Sequence, residues 1–176
     1  KWGNGAKELG WNSPPPLPSD VTPFLRLRQA FAFLMTIPGV PLIYYGDEVG
    51  MPGAGDPDNR RMMTFQGWTA NQSALRNAVG TLAAFRAEHP ATRSGTFVTL
   101  LAETDVLAYG LHGSGDAVAV VLNRGGARSV AFSVAAIPGL PADGTLKDAL
   151  GGADVPISQG SVSIAMPAQG VAVLAP

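Results

Sequence analysis

The sequence predicts an α/β piece followed by an all-β antiparallel sandwich, and three observations carry that prediction. Between Phe24 and His89 the apolar residues are spaced as helix, strand, helix. After Gly95 helical periodicity stops, and short β-branched runs recur between turn signals. The third observation is the stretch Gly39-Val40-Pro41-Leu42-Ile43-Tyr44-Tyr45-Gly46, a short apolar strand that opens at Asp47 and Glu48 into a polar loop ending near Met63. Ligand sites of α/β folds are built where a buried strand opens at its C-terminal end into such a loop. The change of pattern near residues 92–96 divides the chain into 1–93 and 94–176.

Composition narrows the function classes. The 176 residues suffice for one large or two small domains, and at 46% hydrophobic and 14% charged they favour a core over disorder. Twelve basic and 13 acidic residues are mixed along the chain for a net charge of −1, which argues against nucleic-acid and polybasic membrane partners. No apolar run approaches the ~20 residues of a membrane span. With no cysteine, disulfide and thiolate chemistry are excluded. The opening Lys1-Trp2-Gly3-Asn4-Gly5 has neither an initiator Met nor the plan of a signal peptide, and reads as the middle of something longer.

Taken in order, Pro14-Pro15-Pro16-Leu17-Pro18 is loop, since such a run fits neither helix nor sheet interior. Trp2 and Trp11 before it dock on a neighbouring surface or line a sugar site. Thr22-Pro23 has the form of an N-cap with Pro at the first helical position. Phe24, Leu27, Ala30, Phe31, Leu34 and Ile37 then make a helical stripe, stopped by Pro38-Gly39. Beyond the polar loop, Thr69 and Gln72 have capping-box spacing, with Ser73 the other candidate cap. The stripe Leu75, Ala78, Val79, Leu82, Phe85 follows, and the helix ends ahead of Pro90. Strands are expected over 97–103, 106–112, 117–123, 129–135, 145–150, 161–165 and 170–175. A lone parallel-type strand needs neighbours. Its partners are expected upstream of Lys1, because Val40, Leu42, Ile43 and Tyr44 each forfeit ~1.5–3 kcal/mol if uncovered.

These residues resemble a known family. Phe33 to Met51, containing Ile37-Pro38-Gly39-Val40-Pro41-Leu42-Ile43-Tyr44-Tyr45-Gly46-Asp47-Glu48, is similar to the last helix–strand segment of the catalytic barrel in the α-amylase family, glycoside hydrolase family 13. The loop Gly55-Asp56-Pro57-Asp58-Asn59-Arg60-Arg61-Met62 resembles that of the neopullulanase and cyclomaltodextrinase group and related bacterial amylases. Leu82 to Gly95 resembles the final barrel helix and its exit, and Ala117 to Arg124 a central strand of the C-terminal β domain. The resemblance covers the chain from about Phe24 to its end.

It implies an α/β fragment, the last helix–strand–helix of a (β/α)8 TIM barrel, before the sandwich. It implies a retaining hydrolase of α-1,4-glucosidic bonds in starch or maltooligosaccharides, working through one acid/base Glu and one nucleophilic Asp. Those carboxylates lie on earlier barrel strands in the family, so no residue here takes a catalytic role and the chain alone is expected to be inactive. The implied partners are an α-glucan or maltooligosaccharide and the missing N-terminal part of the barrel, with no cofactor and no metal. Alternatives are an α-glucosidase or transglycosylase of the same family, or a non-catalytic carbohydrate-binding or inter-domain module.

The resemblance assigns sugar contacts to Asp56 and Arg60, a sensible pairing of a carboxylate acceptor with a guanidinium donor. Tyr45 either reaches the substrate or packs. Asp47 and Glu48 sit next to each other on what reads as an extended segment, so they face opposite ways and do not flank one bond. They are expected to position the strand end by accepting loop N–H groups. Asp56, Asp58 and Asn59 lack the Gly and bidentate Glu of a calcium loop, and Arg61 is expected to pair within the loop.

Overall fold

A computed structural model describes residues 12–176; Trp2 and Trp11 lie outside the described residues. Helix α1 spans Thr22–Thr36, α2 Ala70–Glu88 and the short α3 Ala91–Ser94. The strands are β1 Thr96–Ala102, β2 Val106–Gly113, β3 Asp116–Asn123, β4 Arg128–Ser133, β5 Gly144–Asp148, β6 Val155–Ser158, β7 Ser161–Met166 and β8 Gly170–Ala175. Every pairing is antiparallel, in the order β1-β2-β3-β8-β5-β6-β7-β4.

Strand β5 turns one sheet into two. Its first half, Gly144 to Leu146, pairs with β6, whereas Lys147 and Asp148 pair with β8. A strand that changes partners midway makes a corner, and the two halves then face each other as a sandwich. Val106, Ala108, Ala119, Val121, Ala172 and Leu174 on one side meet Val130, Phe132, Leu146, Val162 and Met166 on the other.

The alternate residues of the first sheet point the opposite way, into a second core. Tyr109, Leu111, Val118, Val120, Val171 and Val173 pack against Phe24, Phe31 and Met35 of α1 and Leu75, Leu82 and Phe85 of α2. Covered on both faces, β8 is buried at all six positions, while β4 and β6 alternate with solvent. That difference is written in the sequence as Gly170-Val171-Ala172-Val173-Leu174-Ala175 against Arg128-Ser129-Val130-Ala131-Phe132-Ser133. Each fully buried Val, Leu or Phe contributes ~1.5–3 kcal/mol, so this shared core ties the helices firmly to the sheet.

Local signals place the ends of the helices. Thr69 Oγ1 accepts from Gln72 N–H and Gln72 Oε1 from Thr69 N–H, the reciprocal box expected from their spacing. At α1 the cap differs from expectation. The N-cap is Val21, and the carboxylate of Asp20 accepts from Thr22 N–H at 2.9 Å. Ala30 is also exposed, because the buried face is centred on Phe24, Phe31, Ala32 and Met35. In the β2–β3 hairpin, Ser114 and Gly115 both have positive φ, as a two-residue turn between twisted strands requires.

The strand expected from Gly39 is not one. Residues 39–45 run without a ladder partner, and Asp47–Val49 form a 3-10 turn. A strand is defined by its neighbour, and the described sheet offers this segment none. Ile43 turns inward onto the helix-side core, while Val40 and Leu42 are 97% and 87% exposed. Two smaller departures concern the sandwich. The strand expected over 145–150 stops at Asp148, and β6 was not expected, since four residues containing Pro156 read as a connection.

Candidate carbohydrate-contact loop

The segment 39–63 is held by three buried polar groups. Arg86, on the last turn of α2, donates to the carbonyls of Met35 (2.8 Å), Ile37 (3.0 Å), Thr92 (2.8 Å) and Gly39. It thereby fixes the end of α1 and the start of the extended segment with one side chain. Burial, more than the nearby Arg93, pushes its pKa below the usual arginine value. Gln72 uses its free amide to donate to Val49 O at 3.0 Å, so the cap of α2 also fastens the 3-10 turn. Gly50 then packs with positive φ where an added Cβ would stand 2.9 Å from the Phe24 ring.

Asp58 organises the loop beyond. It is 6% exposed, accepts from Ala54 N–H at 2.7 Å, and takes a bidentate pair from Arg61 at 2.7 and 2.8 Å. The Arg61 hydrogen bonds hold its carboxyl below the usual range, helped by the Ala54 N–H. The sequence reading weighed Asp58 only as a metal ligand. Its Asp-x-x-Arg spacing is the signal for the pair, since positions three apart meet on a 3-10 turn.

Around this anchor the structure pairs Asp56 with Arg60. Asp56 and Arg60 form an ion pair across the turn, with side chains 41% and 64% exposed. The Tyr45 phenol is raised, first by its side-chain hydrogen bond with Tyr44 and then by burial, while the charge of Arg60 draws it down. The Tyr44 and Tyr45 rings sit 4.6 Å apart at 36°.

Asp47 and Glu48 lie on the 3-10 turn, not on an extended segment, so the opposite-faces argument does not apply to them. Glu48 Oε2 accepts from Gly46 N–H at 2.8 Å. The carboxyl of Asp47 is raised by burial and, to a lesser degree, by Glu48. Among the described residues no three His, Cys, Asp or Glu side chains converge as a metal site would need. The loop thus presents a surface carboxylate, a surface guanidinium and an aromatic face on a buried, hydrogen-bonded frame.

The described chain is thus a helix pair laid on an antiparallel sandwich, with a charged loop leaving the helical layer. No family model matches the chain, but individual relatives do. It is 39% identical over 107 residues to a cyclomaltodextrinase of Thermoanaerobacter pseudethanolicus, covering 61% of this chain and 18% of that protein. It is 38% identical over 125 residues to a cyclomaltodextrin glucanotransferase of Paenibacillus macerans, covering 71% and 17%. An Anoxybacillus α-amylase superposes with a TM-score of 0.72 at 26% identity, covering 88% of this chain and 33% of the other. These relatives and structural neighbours are enzymes of the α-amylase family, glycoside hydrolase family 13, and the chain matches a C-terminal portion of them. It spans less than a fifth of the length of these two curated relatives.

Proposed function

We propose that the chain is the C-terminal part of a retaining α-glucan hydrolase acting on α-1,4-glucosidic bonds of starch-like or maltooligosaccharide substrates. Residues 1–93 would be the last helix–strand–helix of the catalytic (β/α)8 barrel, and 94–176 its C-terminal sandwich domain. The observation that carries the reading is the ion pair of Asp56 with Arg60, on a loop that resembles the family's Asp-Pro-Asp-x-Arg loop. Asp56 accepts from sugar hydroxyls, Arg60 donates to them, and the Tyr45 ring offers an apolar face. Asp47 and Glu48 shape the turn beneath them. The outward Val40 and Leu42 suit a segment that other barrel strands cover.

The chemical step belongs to carboxylates outside this sequence, with one Asp as nucleophile and one Glu as acid/base. The pure 176-residue chain should therefore leave maltoheptaose unchanged, and turnover by a sample of demonstrated purity would sink this part of the reading. In the longer parent enzyme, Asp56→Ala or Arg60→Ala should lower kcat/KM by the ~1–3 kcal/mol of an unmet polar partner, about 5- to 150-fold. Unchanged kinetics in both variants would remove these residues from the site. A transglycosylase is the second reading, favoured by the 38% identity to a glucanotransferase. Longer or cyclic products from maltoheptaose would select it.

A further inference from the structure

We propose that Asp58 and Arg61 are positioning residues of the carbohydrate-contact loop, holding Asp56 and Arg60 in place while touching no substrate themselves. The proposal rests on the reading of Asp56 and Arg60 as sugar contacts, and adds the pair that sets their geometry. Asp58 is 6% exposed and spends its carboxylate on Arg61, at 2.7 and 2.8 Å, and on the Ala54 N–H at 2.7 Å. Three residues per turn of a 3-10 helix put positions 58 and 61 on one side and turn 59 and 60 away from it. Exposure follows that geometry. Asp58 is buried and Arg61 half-buried, while Asn59 and Arg60 are exposed. The inward pair thereby sets the direction in which Arg60 leaves the turn, and with it the ion pair to Asp56.

This frame is local. Asp58 N–H donates to Gly55 O and Arg60 N–H to Pro57 O, each at 3.0 Å. Gly53 folds back so closely that an added Cβ would stand 3.1 Å from Asn59 Cα. Asp58 ties that return in place through Ala54 N–H. Each of these hydrogen bonds begins and ends between residues 54 and 61, so the support needs nothing outside the loop. An arginine already aimed before substrate arrives loses less freedom on binding than one on a slack loop. A contact of this kind acts on bound substrate and transition state alike, so weakening it raises KM and leaves kcat as it was.

The test is a double-mutant cycle in the longest polypeptide encoded by the gene, with maltoheptaose as substrate. Asp58→Asn and Arg61→Lys should each raise KM about fivefold with kcat unchanged. Once Arg60→Ala is present, each should add less than about twofold, because the contact it positions is already gone. Arg61→Lys keeps the charge and loses the fork, so it carries the test if Asp58→Asn fails to fold. A merely structural role would lower the active fraction, and hence kcat, and would persist beside Arg60→Ala. Unchanged KM in both variants, or a full effect beside Arg60→Ala, would overturn the positioning role alone. Parent-like kinetics in Asp56→Ala and Arg60→Ala would overturn the sugar-contact reading and this proposal together.

Discussion

The hydroxyl of Tyr109, at the centre of β2, lies 2.5 Å from that of Thr36 at the end of α1. Thr36 has one proton and stands 2.6 Å from Ala32 O, so Tyr109 is the donor of the pair. This asymmetry has an energetic consequence. Thr36→Val strands a buried phenol and should destabilise by ~1–3 kcal/mol, whereas Tyr109→Phe leaves Thr36 satisfied and should cost ~0.5–1.5 kcal/mol for the lost bond. Urea unfolding of both variants measures the difference, and equal losses would contradict the assigned direction.

The same tyrosine sets the alkaline limit of the fold. Burial raises its pKa above the usual tyrosine value. A group whose folded pKa is raised contributes stability below its unfolded pKa and loses it as pH climbs toward the folded value. Stability should therefore fall above about pH 10, and the fall should be shallower in Tyr109→Phe, as read from melting temperature between pH 8 and 11.

Asp58 works at the acid end. Its pKa is lowered by Arg61, so its contribution is present above the usual carboxylate value of about 4 and disappears as pH drops through the folded value. Protease cleavage between Gly53 and Met63, measured with an acid-active protease, should accelerate below about pH 4. Asp58→Asn should show the acid rate already at pH 6.

Arg86 should tolerate no substitution. It is 8% exposed, and its bonds to the carbonyls of Met35 and Thr92 are buried, so both lose their partner away from water once the guanidinium is gone. Arg86→Ala is expected to cost roughly 3 kcal/mol or more. Arg86→Lys should recover only part of this, because one ammonium cannot span four acceptors held by a planar fork. Denaturant midpoints of the two variants provide the check.

How much of this was written in the sequence depends on the range of the interaction. The helices, the capping box of Thr69 and Gln72, and the doubly buried runs of β3 and β8 follow from spacing over a few residues. The assignment of Asp56 and Arg60 came from the resemblance of their loop to a family motif, and the ion pair between them was not expected. What escaped was set by distant partners. Gly39 to Tyr45 has the residues of a strand but no neighbour to pair with. Nothing local to Asp116 signals that it accepts from Ala91 N–H and meets His89 Nδ1, each at 2.9 Å. Gln72 announced a cap and gave no sign of its bond to Val49.

The most direct test of the functional account is an assay of the longest polypeptide encoded by the gene, on maltoheptaose, with the anomeric configuration of fresh products followed by NMR. The account predicts cleavage to shorter maltooligosaccharides released as α-anomers, because two displacements at one carbon retain configuration. Absence of cleavage, or products released as β-anomers, would contradict it.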